Sequence, residues 1–306
     1  MGSRRHRFDY AGIRFFLIDE YEPLPGGKEF QWRRRIRPEY LEWVREGLAS
    51  WPPPRPVILA FHTPVLSWEK DDLWQESTSE LLKMLSEHNI LAIITGHIHR
   101  NLQWTLTMGE KKIRAINTGP LMGQQWTNLP PYYWFPIRPG YRLFCIQGEE
   151  LHTFWRELGV ELQASLIWVG DVHTGGPRPL VRPITIFSPV HLIAQGYEKG
   201  KDVHAMEWGL CKPCVSFHTV SWKVLWWQQM RRTFASALWS DWEAEFDPYE
   251  VESGDYMLVV RVRSDSMAYD GVPVKVCHRP SAVPAEAEPE QLFAFGLPHE
   301  KEEDRN

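Results

Sequence analysis

Two short apolar runs, each ending on a histidine, constrain this chain more than any other feature. Val57-Ile58-Leu59-Ala60-Phe61 runs into His62, and Leu91-Ala92-Ile93-Ile94-Thr95 runs into Gly96-His97-Ile98-His99. Both are short and apolar on both faces, the pattern of strands covered on each side of a sheet. Between them, the segment from about Trp74 to His88 carries Leu81, Leu82 and Leu85 at helical spacing. Upstream, Phe15 to Ile18 repeats the buried-strand pattern. Pro38, a favoured first helical residue, then opens an amphipathic segment with Leu41, Val44 and Leu48 facing inward, stopped by Pro52 to Pro54. Strands alternating with helices predict an α/β layered domain, in which functional groups gather in loops at strand ends.

The pattern changes past the second histidine segment. Ile113 to Asn117, Tyr141 to Ile146 and Leu151 to Trp155 read as antiparallel strands completing a first domain over 1–162. Gly and Pro are dense between Gly170 and Pro183, which predicts a linker over 163–183. Beyond it, alternating runs such as Val190 to Ala194 and Tyr256 to Val262, separated by turn residues, predict an all-β domain over 184–278. The remainder, 279–306, is rich in Pro, Ala and Glu and reads as a disordered acidic tail.

A chain of 306 residues can build two such cores. Its net charge of -5 gives no basic face for nucleic acid or for an anionic membrane, so neither is expected as a partner. The 4 cysteines are too few for a disulfide framework, and the fold must rest on burial. No stretch approaches the roughly 18 to 20 apolar residues that span a bilayer, and Met1 to Tyr10 lacks a signal peptide's apolar region. The product reads as cytoplasmic as encoded. A start falling inside a domain would have removed any export signal together with everything upstream.

The chemistry of the two histidine segments is metal binding. A neutral imidazole offers one nitrogen to an ion while its other nitrogen is held by an outer partner. Two histidines one residue apart in a strand-end loop can address neighbouring ions, and Gly96 is expected to give that loop its turn.

A buried strand ending in His62-Thr63-Pro64, then a helix, then a strand ending in Gly96-His97-Ile98-His99, resembles the last two motifs of the calcineurin-like metallophosphoesterases. Phe8 to Phe15 resembles the strand after that family's Gly-Asn-His-Asp/Glu loop, and Asn117-Thr118-Gly119-Pro120 through Gly140-Tyr141-Arg142 resembles its closing segments. The likeness covers residues 8 to about 160. It implies the C-terminal portion of a four-layer phosphoesterase fold, followed by an immunoglobulin-like β-sandwich, the latter supported by Trp239-Ser-Asp-Trp242-Glu-Ala-Glu-Phe246 with Gly254-Asp255-Tyr256. It further implies two divalent ions of the Mn, Fe or Zn type, with His62 and His97 on one and His99 on the other, and Arg100 and Asn101 near a phosphoester substrate. In the family, hydroxide held by the metals attacks phosphorus.

The departures bear on activity. The family's Asp-x-His, Gly-Asp and Gly-Asn-His-Asp/Glu motifs precede the strand at Ile13, and residues 1–12 match none of them. The bridging carboxylate and the Asn ligand are therefore missing, no catalytic residue is assigned, and hydrolysis is expected to need a complementing N-terminal half. A sheet without its covering layer would expose apolar edges. The alternatives are a non-catalytic metal-binding scaffold and a binding module acting through the sandwich.

Three other features compete for function. Asp171-Val172-His173 after Leu166-Ile167-Trp168 could pass for the missing Asp-x-His in a permuted chain, although Gly, Asp and His are ordinary turn residues. Cys211-Lys-Pro-Cys214 with His218, Cys277 and His278 could form a zinc site, but a single Cys-x-x-Cys is weak evidence against incidental thiols. Trp208, Trp222, Trp226, Trp227, Trp239 and Trp242 could form a sugar-stacking strip, with a core role favoured.

Overall fold

The first hairpin turns on Ala11-Gly12, both at positive φ (50° and 79°), as a two-residue turn matched to strand twist requires. It joins β1 (Arg5–Tyr10) to β2 (Ile13–Ile18). Then follow β3 (Tyr21–Pro23), β4 (Trp32–Arg34), α1 (Pro38–Ala49), β5 (Pro56–Ala60), α2 (Asp72–Leu85), β6 (Asn89–Thr95), β7 (Leu102–Met108), β8 (Lys111–Asn117), β9 (Gly140–Gln147) and β10 (Glu150–Glu157). The second half is all strand: β11 (Leu162–Val169), β12 (Val172–His173), β13 (Ile184–Ile186), β14 (Val190–Glu198), β15 (Met206–Val215), β16 (Val220–Gln229), β17 (Arg231–Ala235), β18 (Ser240–Phe246), β19 (Gly254–Arg263) and β20 (Met267–Val276). The computed structural model describes residues 5–23, 32–65, 72–98, 101–108, 110–121, 139–148, 150–175, 183–215 and 220–278. Within these the protein is mostly β-sheet with two α-helices, neither long and apolar enough to cross a membrane. The expected acidic tail lies outside the described residues.

Six strands in the order β1-β2-β5-β6-β8-β7 form one sheet, in which β2, β5, β6 and β8 run parallel and the two edge strands antiparallel. Both helices cover the same face. Phe16, Leu59, Ile93 and Ala115 of the sheet meet Leu41, Val44 and Leu48 of α1 and Trp74, Leu81 and Leu85 of α2. Contact is close at Gly47, where a Cβ would lie 2.7 Å from the Phe16 ring. The opposite face is covered unevenly. The hairpin β9–β10 packs Leu151 and Ile146 over Ala92, Ile94 and Ile116, whereas Phe8, Tyr10 and Leu17 on β1 and β2 are 46%, 72% and 39% exposed. Apolar exposure on this sheet is thus concentrated at its first two strands.

The remaining strands form two five-stranded sheets, β12-β11-β14-β18-β17 and β13-β20-β19-β15-β16. Their inner faces share one core containing Leu166, Leu192, Trp208, Phe246, Leu258 and Val274. The expected linker over 163–183 is not one. Its first residues are strand β11, with Ala164, Leu166 and Val169 buried in that core, so the sandwich begins at Leu162 rather than 184. The Gly and Pro density follows this strand instead of separating two units.

The hairpin joins the halves. Side chains alternate along a strand, so while Leu151 and Ile146 face the six-stranded sheet, Phe154, Leu143 and Cys145 face Phe234, Trp239 and Tyr197 of the sandwich. Arg156 adds its guanidinium over the Tyr197 ring at 3.6 Å.

Candidate functional site

The carboxyl ends of the parallel strands gather at one edge of the six-stranded sheet, where an open α/β sheet leaves a crevice. Asp19 and Glu20 follow β2, His62 and Thr63 follow β5, Gly96 and His97 follow β6, and Thr118 follows β8. Backbone bonds extend the pairing past the strands. Phe61 N donates to Ile94 O (3.1 Å), Gly96 N to His62 O (2.8 Å) and Thr118 N to Thr95 O (2.9 Å).

Glu20 organises the first of these loops. It is buried, and its carboxylate accepts from the backbone N–H of Thr63 (2.6 Å) and of His62 (3.1 Å). Its own carbonyl takes Arg35 N at 2.8 Å. One residue therefore fixes both the histidine loop and the start of the segment after β4.

The two histidines converge on this edge. His97 Nδ1 lies 3.3 Å from His62 Nε2, with the rings nearly perpendicular at 75°. It is His97 that adopts the left-handed conformation, at φ 66°, and not Gly96. A Cβ at Gly96 would lie 3.6 Å from His62 Nδ1, an ordinary van der Waals distance, so the expected turn at Gly96 is made by His97 and space does not demand the glycine. Holding a histidine at positive φ is uncommon, and such residues concentrate at functional loops. On its far side His97 meets Arg34, whose guanidinium is 3.1 Å from Nε2. A guanidinium only donates. His97 Nε2 is then the acceptor, its proton is on Nδ1, and that N–H donates to His62 Nε2.

This pair fits one cation better than two. Two nitrogens on adjacent corners of a tetrahedral ion with bonds of about 2.0–2.1 Å are about 3.3 Å apart, which is the observed spacing. Ligation through His97 Nδ1 moves that ring's proton to Nε2, where it opposes Arg34, so an ion and this arginine contact exclude each other. No group of three or more His, Cys, Asp and Glu side chains able to hold a metal is present among the described residues. His99 and Arg100 lie outside them. A carboxylate bridging two ions is not part of the described cluster.

Asn101 stands at this same edge, beside the carboxyl end of β8, but its side-chain oxygen is engaged within the fold. The residue is buried, and its Oδ1 accepts from Gly119 N (2.8 Å) and from Arg142 (3.1 Å). Its side chain braces the loop against the hairpin.

The other candidates separate cleanly. Asp171 occupies an exposed turn, while His173 stacks edge-on to Trp168 at 4.8 Å and reaches Gln103 of β7. Cys211 is a buried free thiol in the extended strand β15, where a zinc knuckle needs a turn, and burial pushes it up. Cys277 is also free, and His278 caps Pro248 O and Val251 O. Cys214 and His218 fall outside what is described of side chains. Trp208, Trp239 and Trp242 are buried in the two cores, and Trp226 packs against one of them. Trp222 is 43% exposed.

No family model matches the chain, and no curated protein matches it. Among solved structures, the endo-beta-1,4-mannanase from Thermotoga petrophila is similar at 8% identity and TM-score 0.28, over 79% of this chain and 43% of that one. A beta-glucosidase from Listeria innocua in complex with isofagomine gives 10% and 0.24 over 79% and 39%. The b-glucosidase EmGH1 from Erythrobacter marinus gives 8% and 0.23 over 82% and 38%. This chain spans less than half the length of each, and at such TM-scores the likeness carries no functional argument.

Proposed function

We propose that the α/β half is a unit of the calcineurin-like metallophosphoesterase type and that it binds one divalent ion through His62 Nε2 and His97 Nδ1. The observation that carries this reading is the 3.3 Å approach of two histidine nitrogens delivered by the carboxyl ends of adjacent parallel strands. The ion belongs to the Mn, Fe or Zn class, which imidazole suits, and His99 is the expected next ligand. A bound ion would polarise a phosphoryl oxygen. The chain's own residues supply the rest: Glu20 orients the His62 loop, and Arg34 vacates His97 on binding and becomes available to a phosphoester anion. The second half is proposed as an immunoglobulin-like module that positions this unit. Hydrolysis needs a bridging carboxylate from outside the described cluster, so binding without turnover is the expected behaviour of the chain alone.

The test is zinc and manganese titration of the full chain, with hydrolysis of an aryl phosphate followed in parallel. One ion per chain is expected, lost in His97→Ala and bound more tightly in Arg34→Gln, which removes the competing guanidinium. Unchanged metal content in His97→Ala, or weaker binding in Arg34→Gln, overturns the reading.

A further inference from the structure

Where the hairpin, the outer strands of the six-stranded sheet and the sandwich meet, two arginines and a histidine gather. Arg142 of β9 donates to Asn101 Oδ1 (3.1 Å), Thr153 Oγ1 (3.3 Å) and Asn117 O (3.4 Å). Its Nε is buried and has no acceptor among the described residues. Arg114 of β8 places Nε on Gln103 Oε1 at 2.9 Å and another nitrogen on Leu151 O.

His173 completes the cluster in a frustrated position. Its Nδ1 accepts from Gly175 N at 3.1 Å, and its Nε2 is 3.2 Å from Gln103 Nε2. The Gln103 oxygen is held by Arg114, so the amide presents an N–H to the imidazole. A neutral histidine has one lone pair. With Nδ1 accepting, its Nε2–H faces another donor.

Among the described residues no carboxylate is hydrogen-bonded to Arg142, Arg114 or His173. Asp241 is the acidic charge that acts on Arg114, but its oxygens already take Gln195 Nε2 (2.8 Å) and Trp239 Nε1 (3.1 Å) and meet His152 Nδ1 (3.2 Å). In a chain of net charge -5, this local excess runs against the overall balance. Burial, with the neighbouring Arg114, pushes Arg142 down to about 9. Burial and both arginines hold His173 well below the usual histidine value. Arg142 and His173 each keep partial exposure as whole residues, while Arg142 Nε itself is covered, so a ligand reaches that nitrogen only by entering the cluster.

We propose that Arg142 and His173, backed by Arg114, form a binding site for a phosphate-class oxyanion. Such a ligand offers several anionic acceptor oxygens, which would engage the unused Arg142 Nε and the His173 Nε2–H while offsetting the two guanidinium charges. Charge-assisted bonds of this kind are the strong ones in proteins. The site stands on the seam and does not depend on metal at His62 and His97.

The experiment is titration of inorganic phosphate into the full chain with chelator present, by calorimetry and by thermal unfolding, against chloride at matched ionic strength. Saturable binding at one site is expected, weakened about tenfold or more in Arg142→Gln, weakened in His173→Gln, and unchanged in His97→Ala. Should Arg142→Gln fail to fold, His173→Gln decides, because that side chain carries no backbone load beyond Gly175. A response equal to that of chloride, phosphate affinity unaltered in His173→Gln, or affinity lost in His97→Ala overturns the site. Tighter binding of succinate than of phosphate overturns the ligand class.

Discussion

Removing the Glu20 carboxylate tests how the histidine loop is held. The side chain is 1% exposed and accepts from two backbone N–H groups that have no strand partner, His62 N and Thr63 N. Hydrogen bonds to a charged group contribute about 1.5–3 kcal/mol each, and a buried donor left unsatisfied costs about 1–3 kcal/mol. Glu20→Ala leaves both donors bare and is expected to destabilise by about 4 kcal/mol. Glu20→Gln keeps the shape and one acceptor while turning an N–H toward the other donor, for a loss of about 2 kcal/mol. Equilibrium urea unfolding read by tryptophan fluorescence measures both, since the buried Trp74 bonds Pro64 O directly beyond this loop. Metal affinity is expected to fall by about tenfold in Glu20→Gln, the usual cost of losing an outer-shell support. A Glu20→Ala protein within about 0.5 kcal/mol of the parent, the range of ordinary surface changes, refutes the clamp.

Two further outcomes follow from the seam. Because His173 is held below the usual histidine value by burial, Arg142 and Arg114, the unfolded chain takes up a proton below about pH 6.5 that the folded chain refuses. Stability therefore falls as pH drops from there, by about 1.4 kcal/mol per unit until the folded value is reached. Urea midpoints between neutral and mildly acidic pH should flatten in His173→Gln, and an identical slope in the variant refutes the assignment. Phe154 is fully buried and stacks on Trp239 at 5.7 Å. Phe154→Ala is expected to cost about 3–5 kcal/mol and, in calorimetry, to lower one shared transition; two separated transitions in the parent protein contradict a shared seam.

Much of the first half was legible because its physics is local. The runs that became β2, β5 and β6 are apolar on both faces, and Pro38 with Leu41, Val44 and Leu48 sufficed for α1. The histidines were legible as strand-end residues, but their neighbour was not. Arg34 lies 63 positions from His97 and belongs to a basic run that reads as surface. The boundary failed for a related reason. Gly170 at φ 58° marks a turn inside the sandwich, while β11 before it is indistinguishable by composition from a last strand of the preceding domain. Arg114 and Arg142, on different strands, form a site only once the hairpin folds over the sheet.

The hairpin answers to two masters at once. Leu151 and Ile146 are chosen by the six-stranded sheet, and Phe154, Leu143 and Cys145 by the sandwich, in strict alternation along the same two strands. A lineage exchanging the sandwich for another module would have to rewrite every second residue of that ribbon while leaving those between untouched. The two halves are therefore expected to be inherited together, and a chain cut between Glu157 and Leu162 would leave each piece with a raw apolar wound where the other had been.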